Sequence, residues 1–343
     1  MFHPFKSLKS FRQQFNQGLH LLADKPKMGT FILCLANASH DPQLFDELKV
    51  ALKKQYHALL FQYQAVMQGE KKLDAAEEDL LVFLKIQALG FNAIELAQQR
   101  KEGEWLCQFN QLRSLRPRRM AEFQHSGEMF VPFVESQFHF NKPFMAKECF
   151  WLGKFHGKTI DLFYNKYPFA DLHGLIVPER ESCLPQLLIH DMHSYIWEMT
   201  SELSKTLPGV AHGYNSYGAY ASVNHLHFQM FVDPQGLPVT QKNWKHNGGK
   251  ADYPLHVLKC ADMELAWEII SDLHYKKQPY NLLYMPDEIY IMPRKVQGST
   301  DVPDWSSGFT WYELSGAMLL FDEPHYNELS AENISALLAE LSV

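Results

Sequence analysis

The chain has 343 residues, 46% of them hydrophobic and 13% aromatic, and its 32 Lys and Arg against 39 Asp and Glu leave a formal charge of −7. Such a chain is globular and long enough for two domains or one large duplicated one. Its acidic balance lacks the clustered basic surface that nucleic-acid phosphates require, which excludes a long nucleic acid as partner.

Cys34, Cys107, Cys149, Cys183 and Cys260 are far apart, odd in number and form no Cys-x-x-Cys pair. They read as reduced thiols of a cytoplasmic protein, so neither a disulfide framework nor a metal site is expected. No run of about 18 apolar residues could span a bilayer, so no membrane partner is expected either.

The first residues are basic and place Phe5, Leu8, Phe11, Phe15 and Leu19 at helical spacing. The segment could imitate an organellar transit peptide, but a docking helix or frayed arm is the favoured reading. Asp41-Pro42 carries the signature of a helix start, a side-chain acceptor followed by proline in the first turn. Apolar residues then repeat at threes and fours from Phe45 to Val66, and again from Leu80 to Phe91. Two amphipathic helices are expected there, with their Glu and Lys residues on a solvated face.

The stretch FNQLRSLRPRRM, residues 109–120, breaks the helical pattern and gathers Arg113, Arg116, Arg118 and Arg119. Guanidinium groups match phosphate oxygens bidentately, so a diphosphate site and a solvated basic loop are both open.

From Glu148 the pattern becomes β. CFWLGKF and TIDLFYN flank His156-Gly157-Lys158 as a hairpin, HGLIVPER supplies another strand, and Met192, Ile196, Met199 and Leu203 mark a helix that stops at Pro208-Gly209. An α+β antiparallel sheet with packed helices follows from that order.

The next stretch, YNSYGAYASVNHLHFQMFVD, ends in strict alternation, with His225, His227, Gln229 and Phe231 on one parity and Leu226, Phe228, Met230 and Val232 on the other. Period two predicts a half-buried strand whose apolar side packs inward while two imidazoles and an amide emerge together on the opposite face. After it, PYNLLYMPDEIYIMPRK repeats a strand, turn, strand grammar, its IMPRK echoing LIVPER, and WYELSGAMLLF stands where a third strand would. No His-x-His recurs there.

These motifs resemble the histidine-triad superfamily. A motif ending in Gln229 rather than a third histidine resembles its transferase branch of galactose-1-phosphate uridylyltransferases, diadenosine tetraphosphate phosphorylases and GDP-hexose phosphorylases. NSYGAYASVNHLHFQ, YNLL, MPRK and WYELSG are most similar to the GDP-hexose phosphorylases. The likeness covers about residues 105–325. The missing Cys-x-x-Cys pair departs from the zinc-bearing uridylyltransferases.

The resemblance implies a histidine-triad-like sheet duplicated as an active and a degenerate half: an N-terminal helical region 1–104, a catalytic half 105–240 and a degenerate half 241–343. It implies His227 as nucleophile toward an α-phosphate, with His225 as the alternative. It also sets Asn165 and His173, in NKYPFADLHGLIVPE, on the nucleoside side of the pocket and draws Asn110 and Arg113 toward it.

The residue types agree with that chemistry. An imidazole with a pKa near 6.5 is largely deprotonated at neutral pH, so His227 needs orientation rather than a large pKa shift. Asn215, Ser222 and Gln229 can donate to phosphate oxygens, and Gly218 would let the backbone approach them closely. Gln229 can donate a hydrogen bond but cannot act as a general acid, so it suits a leaving group already stable as an anion, such as a sugar phosphate. The expected reaction cleaves a nucleoside diphosphate hexose, GDP-hexose foremost, with no cofactor. Its partners are the nucleotide sugar and inorganic phosphate or a sugar phosphate, and a homodimer is compatible with the branch. A dinucleoside polyphosphate substrate is the alternative within the branch, and a nucleotide-binding sensor without turnover the alternative outside it.

Overall fold

The structure is a computed structural model that describes residues 4–25, 27–70, 72, 75–116 and 127–343. Arg118 and Arg119 lie outside them. The amphipathic N-terminal segment is a helix, α1 (Leu8–Ala23), capped by the Ser7 side chain. It docks: Phe5, Phe11 and Phe15 pack edge-on against Trp151, Phe150 and Tyr164 of the sheet. Next comes α2 (Met28–Ala38), which the sequence pattern does not reveal because nearly every residue in it is buried and there is no polar stripe. The helix expected after Asp41 is α3 (Pro42–Met67), with Asp41 Oδ1 accepting from the amides of Gln43 and Leu44. The second expected helix is α4 (Glu77–Leu89).

A hairpin of β1 (Gln98–Glu102) and β2 (Trp105–Phe109) follows, then one turn of helix, α5 (Gln111–Ser114), inside the arginine-rich stretch expected to be irregular. The sheet begins with β3 (Cys149–Phe155) and β4 (Lys158–Tyr164), joined at His156-Gly157 with φ of 44° and 82°. Positive φ at both turn residues matches the twist of the flanking strands. β5 (Gly174–Pro178), α6 (His190–Ser204), β6 (Val210–Asn215) and β7 (Phe228–Val232) complete the first part. The second consists of β8 (Leu258–Cys260), α7 (Met263–Tyr275), β9 (Tyr280–Met285) and β10 (Glu288–Pro293). The chain closes with α8 (Trp311–Leu314), β11 (Ala317–Leu320), α9 (Glu323–Glu328) and α10 (Ala331–Leu341).

The fold is α+β. Its main sheet has eight strands in the order β3-β4-β5-β7-β6-β9-β10-β8, with every adjacent pair antiparallel. Two strand, helix, strand, strand units appear in it: β5-α6-β6-β7 lies as β5-β7-β6, and β8-α7-β9-β10 lies in mirror order as β9-β10-β8. They meet where β6 pairs with β9, Asn215 opposite Asn281. By this topology the IMPRK strand β10 corresponds to β7, not to the LIVPER strand β5 that its wording echoes. The expected third strand is also corrected: WYEL is the helix α8, and β11 runs parallel to β2 in a separate three-stranded sheet. A Thr310–Glu313 capping box begins the helix there.

Alternation sorts the side chains of the sheet. Tyr214, Phe228, Met230, Leu282 and Tyr284 join the core under the helices, whereas Ala211, Phe231, Leu283 and Met292 join a second core with Trp311 and the small sheet. On that second face Phe140 covers Phe163 and Val177, while Trp311 covers Gly213 and Phe231. Between these two covers lies the start of β7. Among the described residues, no helix is long and apolar enough to cross a membrane.

Gly213 has no room for a side chain, since a Cβ there would stand 2.0 Å from Trp311 Cε2. Gly213→Ala should therefore destabilise the fold by about 1–3 kcal/mol, the usual cost of overpacking. A shift in the urea midpoint would register it, and an unchanged midpoint would show that α8 can give way.

Candidate functional site

The parity expected for the central stretch holds, but the strand is shorter than its alternation. β7 starts at Phe228, so His225 and His227 lie in the segment approaching it, and both are buried rather than displayed on an open face. The imidazoles leave the ladder because each has stronger local partners. His225 accepts the Phe140 amide at Nδ1 (3.2 Å), and its Nε2–H donates to the carbonyl of Arg180 (3.0 Å). Neither of its ring nitrogens is open. His227 donates from Nδ1 to the carbonyl of His225 at 2.8 Å. Nε2 of His227 then holds the lone pair, with no hydrogen bond to any described residue, and the ring faces Phe140 with centroids 5.3 Å apart.

Burial pushes the His227 pKa down to about 4, against a raising effect of the His225 carbonyl. His225 is likewise held down to about 4 by burial and by its neighbour His227. Among the described residues no carboxylate is paired with either ring. A neutral imidazole with one nitrogen fixed as donor and the other bare is the form that can attack an electrophile.

The amide of Gln229 meets the ring of His173. His173 is wholly buried just before β5, the strand that pairs with β7. Its Nδ1 accepts the Phe169 amide (3.3 Å), and its Nε2 faces the Asn165 Nδ2 at 3.2 Å. Asn165 Oδ1 in turn accepts the Tyr167 amide. Asn165 and His173 therefore come together with Gln229. Arg113 reaches the same cluster from α5: it donates to the Tyr167 carbonyl (2.5 Å), lies over the Phe169 ring at 5.7 Å and helps to hold His173 neutral. Its Nε is buried without a hydrogen-bond partner among the described residues. Asn110 has a different position. Its Oδ1 caps α5 at the Arg113 amide, and its Nδ2 contacts His40 Nε2 at 2.9 Å, so this buried side chain is already occupied.

At the end of β6, Asn215 Oδ1 accepts from Asn281 Nδ2 (2.6 Å) and from the Trp311 amide (3.0 Å). With its acceptor used, Asn215 has only its Nδ2 donor left to present. Gly218 takes φ of +82°, which favours glycine, in the turn that follows. That turn is clamped from the second half of the sheet: the Gln297 amide donates to the Gly218 carbonyl (2.8 Å), and Gln297 Oε1 accepts the Tyr220 amide (2.9 Å). Ser222 stands exposed at the loop's outer edge.

Sequence pattern did not single out Gln186, His40, Phe140 or Gln297. Each stands alone in a stretch without periodicity, and only the long-range fold gives it a partner. Among the described residues, no group of three or more His, Cys, Asp or Glu side chains could hold a metal ion.

Residues 95–231 match the family model described as GDPGP1-like, N-terminal domain, a span that holds every candidate residue from Asn110 to Gln229. The chain is 29% identical over 204 residues to GDP-L-galactose phosphorylase 1 of Arabidopsis thaliana, covering 52% of this chain and 46% of that protein. It is 33% identical over 123 residues to GDP-D-glucose phosphorylase 1 of Danio rerio, covering 36% and 34%. The match thus spans less than half the length of these relatives. The fold is similar to the crystal structure of yeast Ap4A phosphorylase Apa2, with a TM-score of 0.51 and 14% identity over 79% of this chain and 95% of that one. The resemblance to GDP-hexose phosphorylases is borne out, and so is the histidine-triad-like fold.

The rings of His40, His193, His225, His227 and His274, all held near 4 by burial, set the acid limit of the fold. The unfolded chain binds protons on these groups below about 6.5 while the native state does not, so their contribution is complete above that value and lost as pH falls toward 4. Urea midpoints should drop steeply across that window. A flat midpoint would mean that the rings protonate in place.

Proposed function

We propose that this chain is a nucleotidyltransferase that cleaves a GDP-hexose with inorganic phosphate through a covalent intermediate on His227. The observation that carries the reading is the ring of His227, neutral, bonded through Nδ1 to the His225 carbonyl and bare at Nε2. Similarity to the GDP-L-galactose and GDP-D-glucose phosphorylases supports the choice of substrate.

In this reading Nε2 attacks the α-phosphorus, the bond to the bridging oxygen breaks, and hexose 1-phosphate leaves with the electron pair. The imidazole carries positive charge while phosphorylated, and the His225 carbonyl accepting its Nδ1–H stabilises it. An oxygen of inorganic phosphate then attacks phosphorus, the P–N bond returns its pair to Nε2, and GDP departs. No proton has to reach the leaving group, because a sugar phosphate is stable as an anion near neutral pH. Gln229, held by His173, and the free donor of Asn215 serve the charge that develops on the phosphate oxygens. The loop from Gly218 to Ser222 provides the backbone approach. Arg113, backed by Asn165, supplies positive charge on the nucleotide side.

The proposal keeps the division into a helical region 1–104, a catalytic half 105–240 and a second half 241–343, in a cytoplasmic enzyme that needs no cofactor, nucleic acid or membrane and is compatible with a homodimer.

A phosphate-dependent screen of nucleoside diphosphate sugars and dinucleoside polyphosphates should be led by GDP-sugars; reaction with adenine dinucleotides alone would replace the substrate. Without phosphate, GDP-hexose should release about one hexose 1-phosphate per site and leave an acid-labile, base-stable label. His227→Asn should abolish burst and label, and Gln229→Ala should slow the burst roughly 10²- to 10³-fold. Turnover without burst or label under rapid quench would establish direct displacement instead. Arg113→Ala should weaken substrate binding by about 1.5 to 3 kcal/mol, the scale of a charge-assisted hydrogen bond. An unchanged KM would return Arg113 to a packing role.

A further inference from the structure

Between β6 and the approach to β7 the sheet contains a side chain where a strand pair belongs. The β6–β7 register runs Val210 to Gly213 against Val232 to Gln229, and its continuation would set Asn215 opposite His227. The Gln186 amide fills that position instead. Its Oε1 accepts the His227 amide (3.0 Å), and its Nε2 donates to the carbonyls of Asn215 (3.1 Å) and His227 (3.3 Å). A primary amide has the same donor and acceptor as a peptide group, so Gln186 acts as one residue of strand inserted between the two.

The main chain of Gln186 is fastened as well. Its N–H donates to Asn224 Oδ1 (2.9 Å), and its carbonyl accepts from the Tyr214 hydroxyl (3.2 Å). Next to it, the Leu184 carbonyl accepts the Leu226 amide at 2.8 Å. With backbone and side chain both held and the residue 2% exposed, the amide has no freedom to follow His227; His227 must follow it.

We infer that Gln186 is a positioning residue for the nucleophile, fixing the N–H and carbonyl of His227 so that its Nδ1 stays against the His225 carbonyl and Nε2 keeps one direction. The inference rests on the reading of His227 as nucleophile. It accounts for the break in the ladder: direct pairing of His227 with Asn215 would draw the ring toward β6. Displacing an attacking atom by about an ångström costs on the order of 100-fold in rate, while binding of the rest of the substrate is untouched.

The test compares wild type, Gln186→Met, which keeps length and loses every side-chain hydrogen bond, and Gln186→Glu, which keeps the acceptor for the His227 amide and loses both side-chain donors. Burst rate with GDP-D-glucose, affinity for GDP and the ¹⁵N shifts of the His227 ring, assigned by their absence in His227→Asn, are measured on each. Expected are a burst about 100-fold slower in Gln186→Met, an intermediate loss in Gln186→Glu, GDP affinity within about twofold of wild type, and a ring that changes from a fixed Nδ1–H tautomer to an averaged one. A burst near the wild-type rate, or a rate loss matched by equal loss of GDP affinity with the tautomer unchanged, would overturn the assignment. Should Gln186→Met not fold, the glutamate variant decides by the same criteria. A wild type that turns over without a burst removes the covalent reading, and the tautomer measurement then decides for or against Gln186 by itself.

Discussion

A 2.8 Å hydrogen bond from His227 Nδ1 to the main-chain carbonyl two residues earlier determines what this site can be. A carbonyl fixes the tautomer without bringing a negative charge, so its raising effect is outweighed by the burial that keeps the ring neutral. The carbonyl is itself oriented, because the ring of His225 is held at both nitrogens, by Phe140 and by Arg180. Arg180 sits in a short turn whose flanking residues, Glu179 and Cys183, take φ of 45° and 51°. Non-glycine residues adopt that region at a cost, which the surrounding contacts sustain here to aim one carbonyl at His225. The sequence of supports, turn to His225 to His227, is main chain at each joint and carries no net charge.

The second half of the sheet has no His-x-His, yet it closes the site of the first. Asn281 and the start of α8 occupy the acceptor of Asn215 and so decide which end of that amide is left to donate. Gln297 bridges Gly218 and Tyr220 from β10's far side, holding the glycine turn in its conformation. Arg294 lies under the Tyr220 ring at 5.0 Å. These contacts constrain the second half where it touches the loop.

Much of the fold was legible because the signals involved are local. Asp41-Pro42, the paired positive φ at His156-Gly157, and the alternation through Phe228 to Val232 each act within a few residues. Features set by distant contacts were not. Alternation alone could not show that the strand begins only at Phe228, since the partners that draw His225 and His227 away come from residues 140, 180 and 186. Asn110, drawn toward the nucleotide by the Asn-x-x-Arg segment, also caps α5, a local role its spacing did not announce. His173, expected on the nucleoside side, has the Gln229 amide as a neighbour that sequence spacing could not supply. The helix α2 has no polar stripe to betray its period.

The pairing of β2 with β11 joins residues about two hundred apart along the chain, in parallel, and Gly316 fastens the start of β2 through its carbonyl. Parallel pairing over such a separation cannot form while the C-terminal segment is still unmade, and long-range contacts of this kind slow folding. On a ribosome, the histidines would be synthesised well before Trp311 arrives to cover their sheet face. The apolar surface of Phe231, Leu283 and Met292 would meanwhile stand open to water and to other chains. Stalled or truncated synthesis should thus yield an aggregation-prone intermediate rather than a smaller stable fold.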